Sequence, residues 1–217
     1  MEDVDRLAKD PSPAARAGTA AKLAQQFNAS AFNAVEIQLA QEIFRVMARD
    51  AEVRVREALA ANLKSNPNLP RDVAVALGKD VDTVSLPILS FSEVLTPEDL
   101  ILIVNANASF TKMEAIAGRP TVAESVSAAL VERGSEKVIA KLLSNPGAAV
   151  SEPSMHVVVD RFGDSELVQE PLVHRATLPV TVTERLMSHV ADHLRNYLLS
   201  KHQISPEVAM EDRKSVV

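Results

Sequence analysis

The chain of 217 residues is 47% hydrophobic and 24% charged with a formal net charge of −6, the composition of a globular protein long enough to bury a substantial core. It has no cysteine, no tryptophan and one tyrosine, which excludes disulfides, thiolate metal sites and a cysteine nucleophile and removes most stacking platforms for bases or sugars. The acidic balance has the wrong sign for bulk nucleic-acid binding, and no apolar run approaches a membrane span.

Glycine is scarce at six residues, and apolar positions recur at three and four, the period of an amphipathic helix. The pattern predicts helices over 11–27, 31–49, 51–64, 70–79, 82–91 and 96–106. It continues with 109–117, 121–133, 135–144, 151–161, 164–174 and 179–200. Pro87 falls inside one run and is expected to kink or break it. Asp99–Val104, DLILIV, is apolar on every side, as in a helix that is buried by both neighbours or meets a partner. The last helix carries the stripe Leu186, Val190, Leu194, Tyr197 and Leu198. Residues 201–217 read as a partly helical or frayed tail.

Several helix starts show a capping residue followed by proline: Asp10-Pro11, Thr96-Pro97 and Ser205-Pro206. Proline's fixed φ suits a first turn, where its missing N–H costs nothing. The segments opening alternate helices begin at Leu69, Leu95, Val122, Val150 and Leu178, a nearly constant spacing. One helix hairpin cannot bury its stripe alone, whereas a stack of hairpins can. The expected fold is all-α: a right-handed α-solenoid of about six short antiparallel helix pairs, one continuous domain over 1–200.

In the N-terminal part Asp10 precedes Arg16, and Asp50 precedes Arg56, by the same gap. An aspartate caps a helix start, and the following arginine is placed to reach the aspartate of a stacked neighbour. Asp10, Arg16, Asp50 and Arg56 are therefore expected to form a structural ladder rather than ligand contacts.

That gap, combined with the helix-pair period, is similar to HEAT repeats. The stretch Arg56–Val104 resembles an uncharacterised family of bacterial HEAT-like proteins carrying a domain of unknown function. The family's core, N-x-x-L-P-x-x-V-A and then D-x-x-x-V-x-x-P-I-L-x-x-S-x-x-L-x-x-x-D-L, is matched first by Asn66, Leu69, Pro70, Val73 and Ala74. It is matched next by Asp80, Val84, Pro87, Ile88, Leu89, Ser92, Leu95, Asp99 and Leu100. LLSNPGAAVSE and LPVTVTERLMSHVADHL also resemble it. The resemblance covers most of the chain, implies a helical-repeat fold, and carries over no activity and no catalytic residue.

Nothing in the sequence assembles a catalytic centre. His189 and His193 stand four apart, a spacing that lets two imidazoles share a zinc ion. The general-base glutamate of HExxH is absent, and the face continues through Asn196 and Ser200 as a solvated surface. Most of Glu98, Asp99, Glu124, Glu152, Asp160, Asp164 and Glu184 fall in first turns, where they complement the helix dipole. There is no glycine-rich phosphate loop and no G-x-S-x-G elbow. HEAT-like alkyl-base DNA glycosylases use a basic concave face and tryptophans, which this chain lacks.

The resulting expectation is a cytoplasmic, non-enzymatic scaffold with no metal or cofactor, since the start MEDVDRLAKDPSP lacks the regions of a signal peptide. A protein or peptide partner, or a second copy in a homodimer, would sit on the face built from the second helix of each pair. Arg71, Asp72, Val75, Glu98, Ile101, Leu102, Glu124, Ser125 and His156 lie off the core stripe of those helices. The alternative is a regulatory module that senses a small anionic ligand such as a nucleotide. Dispersed basic residues would hold it: Arg54, Arg56, Arg71, Lys79, Arg119, Lys137, Lys141, Arg161 and Arg175.

Overall fold

The computed structural model describes residues 12–29, 32–106 and 108–201. Among them are thirteen α-helices, no strand, and one isolated parallel bridge between Val122 and Ala148. The chain forms two compact units, Met1–Ile116 and Ala117–Val217, where the periodicity reads one continuous domain. Asp10 and residues 202–217, with the expected tail and the Ser205-Pro206 start, lie outside the described residues.

The first unit contains α1 (Pro13–Asn28), α2 (Ala34–Met47), α3 (Val53–Leu63), α4 (Arg71–Gly78), α5 (Asp82–Phe91) and α6 (Pro97–Asn105). α7 (Phe110–Ala117) ends at the boundary. α1 packs on α3, α3 on α5, and α2 on α4, helices two places apart, while α4 packs on the adjacent α5. The faces that meet are the apolar stripes: Ala20, Ala24 and Phe27 from α1, and Val55, Leu59 and Leu63 from α3, are buried. Phe27 meets Phe44 of α2 edge to face at 5.1 Å between centroids, a favoured aromatic geometry.

The helix starts follow from their caps. Asn33 Oδ1 accepts from the amides of Val35 at 2.9 Å and Glu36 at 3.1 Å, and Glu36 Oε2 accepts from the Asn33 amide at 2.8 Å. This reciprocal box satisfies donors that the first turn leaves open. Thr96 and Asp99 form the same box at α6, with Pro97 in the first turn. Pro87 leaves its run helical: α5 is continuous from Asp82 to Phe91, because Val84, Ser85, Ile88 and Leu89 on both sides of it are buried. Packing there outweighs the loss of one amide donor.

The second unit contains α8 (Glu124–Arg133), α9 (Glu136–Leu143), α10 (Glu152–Phe162), α11 (Glu166–Val173), α12 (Val180–Met187) and α13 (Asp192–Lys201). α8 packs on α10 and α10 on α12, while α9 packs on α11 and α11 on α13. The loops before α8 and before α10 pair with one another. The Val122 amide donates to Gly147 O and the Ala149 amide to Val122 O, each at 3.0 Å. Asn145 Nδ2 donates to Ala117 O and Arg119 O, both at 2.8 Å. Gly147 sits so close to this strap that a Cβ there would lie 1.9 Å from Pro120 O.

The single helix expected over 179–200 is two helices, α12 and α13. Carbonyls that would continue a helical ladder across the junction are engaged by side chains instead. Gln169 Nε2 donates to His189 O at 3.0 Å, and Arg195 Nη2 donates to Met187 O at 3.0 Å. Leu186, Val190, Leu194 and Leu198 are all buried nonetheless. The break removes His189 and His193 from a common helix face. His189 Nδ1 faces Asp164 Oδ1 at 2.8 Å. Among the described residues no group of three or more His, Cys, Asp or Glu is placed to hold a metal ion.

Candidate functional site

The second-helix layer of the first unit, α2, α4 and α6, is joined by ion pairs between successive helices. Arg45 Nε of α2 donates to Asp72 Oδ2 of α4 at 2.8 Å, and Arg45 Nη1 to Glu42 Oε1 at 2.6 Å. Arg71 of α4 grips Asp99 of α6 through two parallel bonds, Nε to Oδ2 at 2.8 Å and Nη2 to Oδ1 at 2.9 Å. Bidentate geometry is the strong form of this pair. Asp99 is buried and serves twice, because its Oδ2 also accepts from the Thr96 amide at 3.1 Å. The Arg71 hydrogen bond, against the opposing effect of burial, holds the Asp99 carboxyl below the usual aspartate range. Arg45 lowers Asp72 in the same way.

A second line of charge runs through the first-helix layer. Arg16 donates to Asp50 at 2.8 Å and 3.1 Å. Arg56 donates to Asp80 at 2.5 Å and 2.9 Å, and also to Asp50 O at 2.6 Å. Lys112 Nζ donates in turn to Asp80 O. Hydrogen bonds from Arg16 lower the Asp50 carboxyl. At Asp80 burial works upward and is outweighed by the Arg56 hydrogen bond and the Val81 amide, so that carboxyl is lowered too.

The nine contact positions read from the sequence therefore divide. Arg71 and Asp72 are exposed but held in the ion pairs above. Glu98 is exposed, while Val75 and Ile101 are half-buried. Leu102 is 60% exposed, whereas Leu100, Ile103 and Val104 on the same helix are buried. DLILIV thus has a covered face and an open one. Glu124, Ser125 and His156 belong to the second unit. Glu124 and Ser125 are exposed. His156 Nε2 lies 3.3 Å from Thr181 Oγ1, which itself donates to Glu152 Oε1 at 2.5 Å. His156 Nδ1 is buried without a hydrogen-bond partner.

The helix expected over 31–49 is α2, but no sequence signal marks its open apolar face. Of its fourteen residues only Ala40 and Phe44 are buried. Val35, Leu39 and Val46 form a stripe along the helix at 74%, 61% and 73% exposure. Beside it lies a groove of about 320 Å³ lined by Arg16, Glu42, Ile43, Val46, Met47 and Asp50. Its floor is apolar and its charged groups sit in pairs, Arg16 with Asp50 and Glu42 with Arg45. The sequence held one usable signal: the arginine and aspartate of each second-layer pair stand one repeat apart, 27 residues for Arg45 and Asp72 and 28 for Arg71 and Asp99.

Among the described residues no helix is long and apolar enough to cross a membrane. No curated protein and no solved structure matches the chain. A family model does match, over residues 84–215, more than half of the chain. It describes uncharacterised proteins conserved in bacteria, and the chain belongs to that family, DUF2336.

Proposed function

We propose that this chain is a non-enzymatic, HEAT-like helical-repeat scaffold, each unit a solenoid-like stack of helix pairs, and that it binds a protein or peptide partner through the second-helix layer of its first unit. The packing of helices two places apart supports the stack. The observation that carries the binding site is the groove beside α2, where Ile43, Val46 and Met47 line an apolar floor and the Val35–Leu39–Val46 stripe continues it. Single exposed apolar residues are ordinary, but a continuous stripe flanking a groove is how partner surfaces are built. An amphipathic segment laying its apolar face along α2 fits this chemistry. Leu102 and Glu98 extend the same layer to α6.

Arg71 and Asp72 become positioning residues in this reading, since their charges are spent on Asp99 and Arg45. Reversing Arg71 would test the fold as much as the partner. The cleaner test replaces Leu39 and Val46 by glutamate and uses the purified native chain and the variant as paired baits in bacterial lysate. A protein retained by the native chain and lost by a variant of unchanged melting temperature supports the scaffold. Identical retention by both baits overturns the site. A change in oligomeric state, native against variant, assigns the groove to a second copy.

A further inference from the structure

The turn between α11 and α12 carries a guanidinium where two turns of the same register carry an amide. Several turns share one register, in which a residue just past a helix returns its amide to the carbonyl three residues back, and three of them compare directly. These are Asn66 to Leu63 O at 3.0 Å, Asn145 to Leu142 O at 3.2 Å and Arg175 to Leu172 O at 3.2 Å. In the first two the side chain is a neutral amide that also closes its own turn, Asn66 Oδ1 accepting from the Asn68 amide and Asn145 Oδ1 from the Gly147 amide. In the third it is a guanidinium. Arg175 Nη1 donates to Leu143 O at 3.1 Å and Nη2 to Ala148 O at 2.7 Å, so it ties back to the preceding loop much as Asn145 does. The tie needs donors, not a charge.

Among the described residues that charge meets no counter-ion within salt-bridge distance. Arg16, Arg45, Arg56, Arg71 and Arg185 each meet a carboxylate. Arg175, like Arg161, meets carbonyls instead, and its Nε is buried with no hydrogen-bond partner. Burial pulls its pKa below the ordinary arginine value. A desolvated cation facing only carbonyl dipoles is incompletely compensated, and an anion beside it relieves the cost.

Arg175 also lines a cavity of about 590 Å³, within the range of small-molecule sites. Leu143, Pro146, Pro171 and Ala176 give it apolar walls, while Glu170 and His174 stand on the same wall as Arg175. The His174 ring lies 4.5 Å from that of Tyr197 at a 35° tilt, and its Nδ1 meets Glu170 O at 2.8 Å. The carbonyl can only accept, so Nδ1 is the donor there.

We propose that this cavity binds a nucleoside monophosphate: Arg175 holds the phosphate, the proline and leucine walls cover the base, and Glu170 accepts from the base's exocyclic amine. One cation and one carboxylate suit a ligand with a single anionic head and a donor at its far end. A triphosphate would set its extra charge against Glu170. The site lies wholly in the second unit and does not depend on the α2 groove.

The test is a titration of the full chain with AMP and with adenosine, followed by amide NMR shifts and calorimetry. AMP is expected to bind saturably, to shift residues 143–147 and 170–177, and to bind about tenfold or more tightly than adenosine, as a charged hydrogen-bonded head requires. Arg175→Gln should abolish the difference between the two. Because that variant also weakens the tie to the preceding loop, Thr177→Asp provides a second arm. Thr177 is exposed on the cavity wall, so the substitution leaves the fold intact while placing a carboxylate where the phosphate would sit, and AMP binding should be lost. The proposal is overturned if AMP moves none of these amides, if adenosine binds equally well, or if Thr177→Asp binds AMP as the native chain does. Glutamates at Leu39 and Val46 should leave AMP binding unchanged, which separates this site from the partner groove.

Discussion

In the first unit Arg16, Arg45, Arg56 and Arg71 each end on an aspartate of a later helix or turn. In the second, Arg161 and Arg175 donate to main-chain carbonyls at or beyond the ends of helices, and Arg195 makes one bond of this kind. Arg161 reaches Val131, Glu132 and Gly134 at the end of α8, and Arg195 reaches Met187 at the end of α12. The second unit's carboxylate pairs, Arg185 with Asp160 and three histidine pairs at Glu152, Glu170 and Asp164, lie at the surface. One residue type thus fastens helices in two ways. A carboxylate partner adds charge and geometry but titrates. A helix C-terminus offers a fixed partial negative charge that does not.

The largest effect that should separate the units lies in their SNP turns. Gly147→Ala drives a methyl into Pro120 O and should destabilise the second unit by at least about 3 kcal/mol. Asn68 holds the matching place in the first unit, after Asn66-Pro67, and already carries a side chain, so Asn68→Ala should cost far less. Equal losses of amide protection in the two variants would refute the close approach. Next comes Leu59→Ala, which hollows the fully buried centre of α3 and should cost about 2–5 kcal/mol, read by denaturant unfolding.

Arg56→Met should cost about 2 kcal/mol by leaving the largely buried Asp80 without its guanidinium. The same variant sharpens the pH comparison. Asp50, Asp72, Asp80 and Asp99 all have folded pKa values below their ordinary one. Their contribution is therefore complete above about pH 4 and is lost as pH falls through the depressed folded values. Amides of the first unit should lose protection first between about pH 4 and pH 2, while the carbonyl-anchored helices of the second unit respond less. Arg56→Met should blunt that acid response. Earlier loss in the second unit would reverse the argument. The smallest effect is expected at the exposed Arg45–Asp72 pair, where Asp72→Asn should scarcely move the melting temperature, and less still in high salt.

The sequence was most readable where one force acts along one helix. Of the five anchors of the repeat spacing, Leu69, Leu95, Val122 and Leu178 are buried and Val150 is half-buried, because a residue just ahead of a helix start staples it to the core. The Thr96-Pro97 cap reads directly as well. The Asp-to-Arg gap singled out Arg16 and Arg56, and each meets an aspartate, Asp50 and Asp80. The reading failed where the deciding contact comes from elsewhere in the chain. Periodicity finds an apolar stripe but not whether a neighbour covers it, so the exposure of Val35, Leu39 and Val46 has no sequence signal. The α12–α13 break depends on Gln169, which reaches His189 O from 20 residues away. Arg71 and Asp72 looked free because nothing local marks Asp99 and Arg45 as their partners.

The pairing of helices two places apart also sets how the chain finds its fold. The pairs that fasten the first unit span between 24 and 34 residues, from Arg56–Asp80 to Arg16–Asp50, and none needs the chain ends to meet. Loop-closure entropy grows slowly with length and stays small for such spans. A fold assembled from neighbours of this kind has low contact order and reaches its native state on the microsecond-to-millisecond scale. Each new hairpin can dock as soon as it leaves the ribosome, before the remainder has been made.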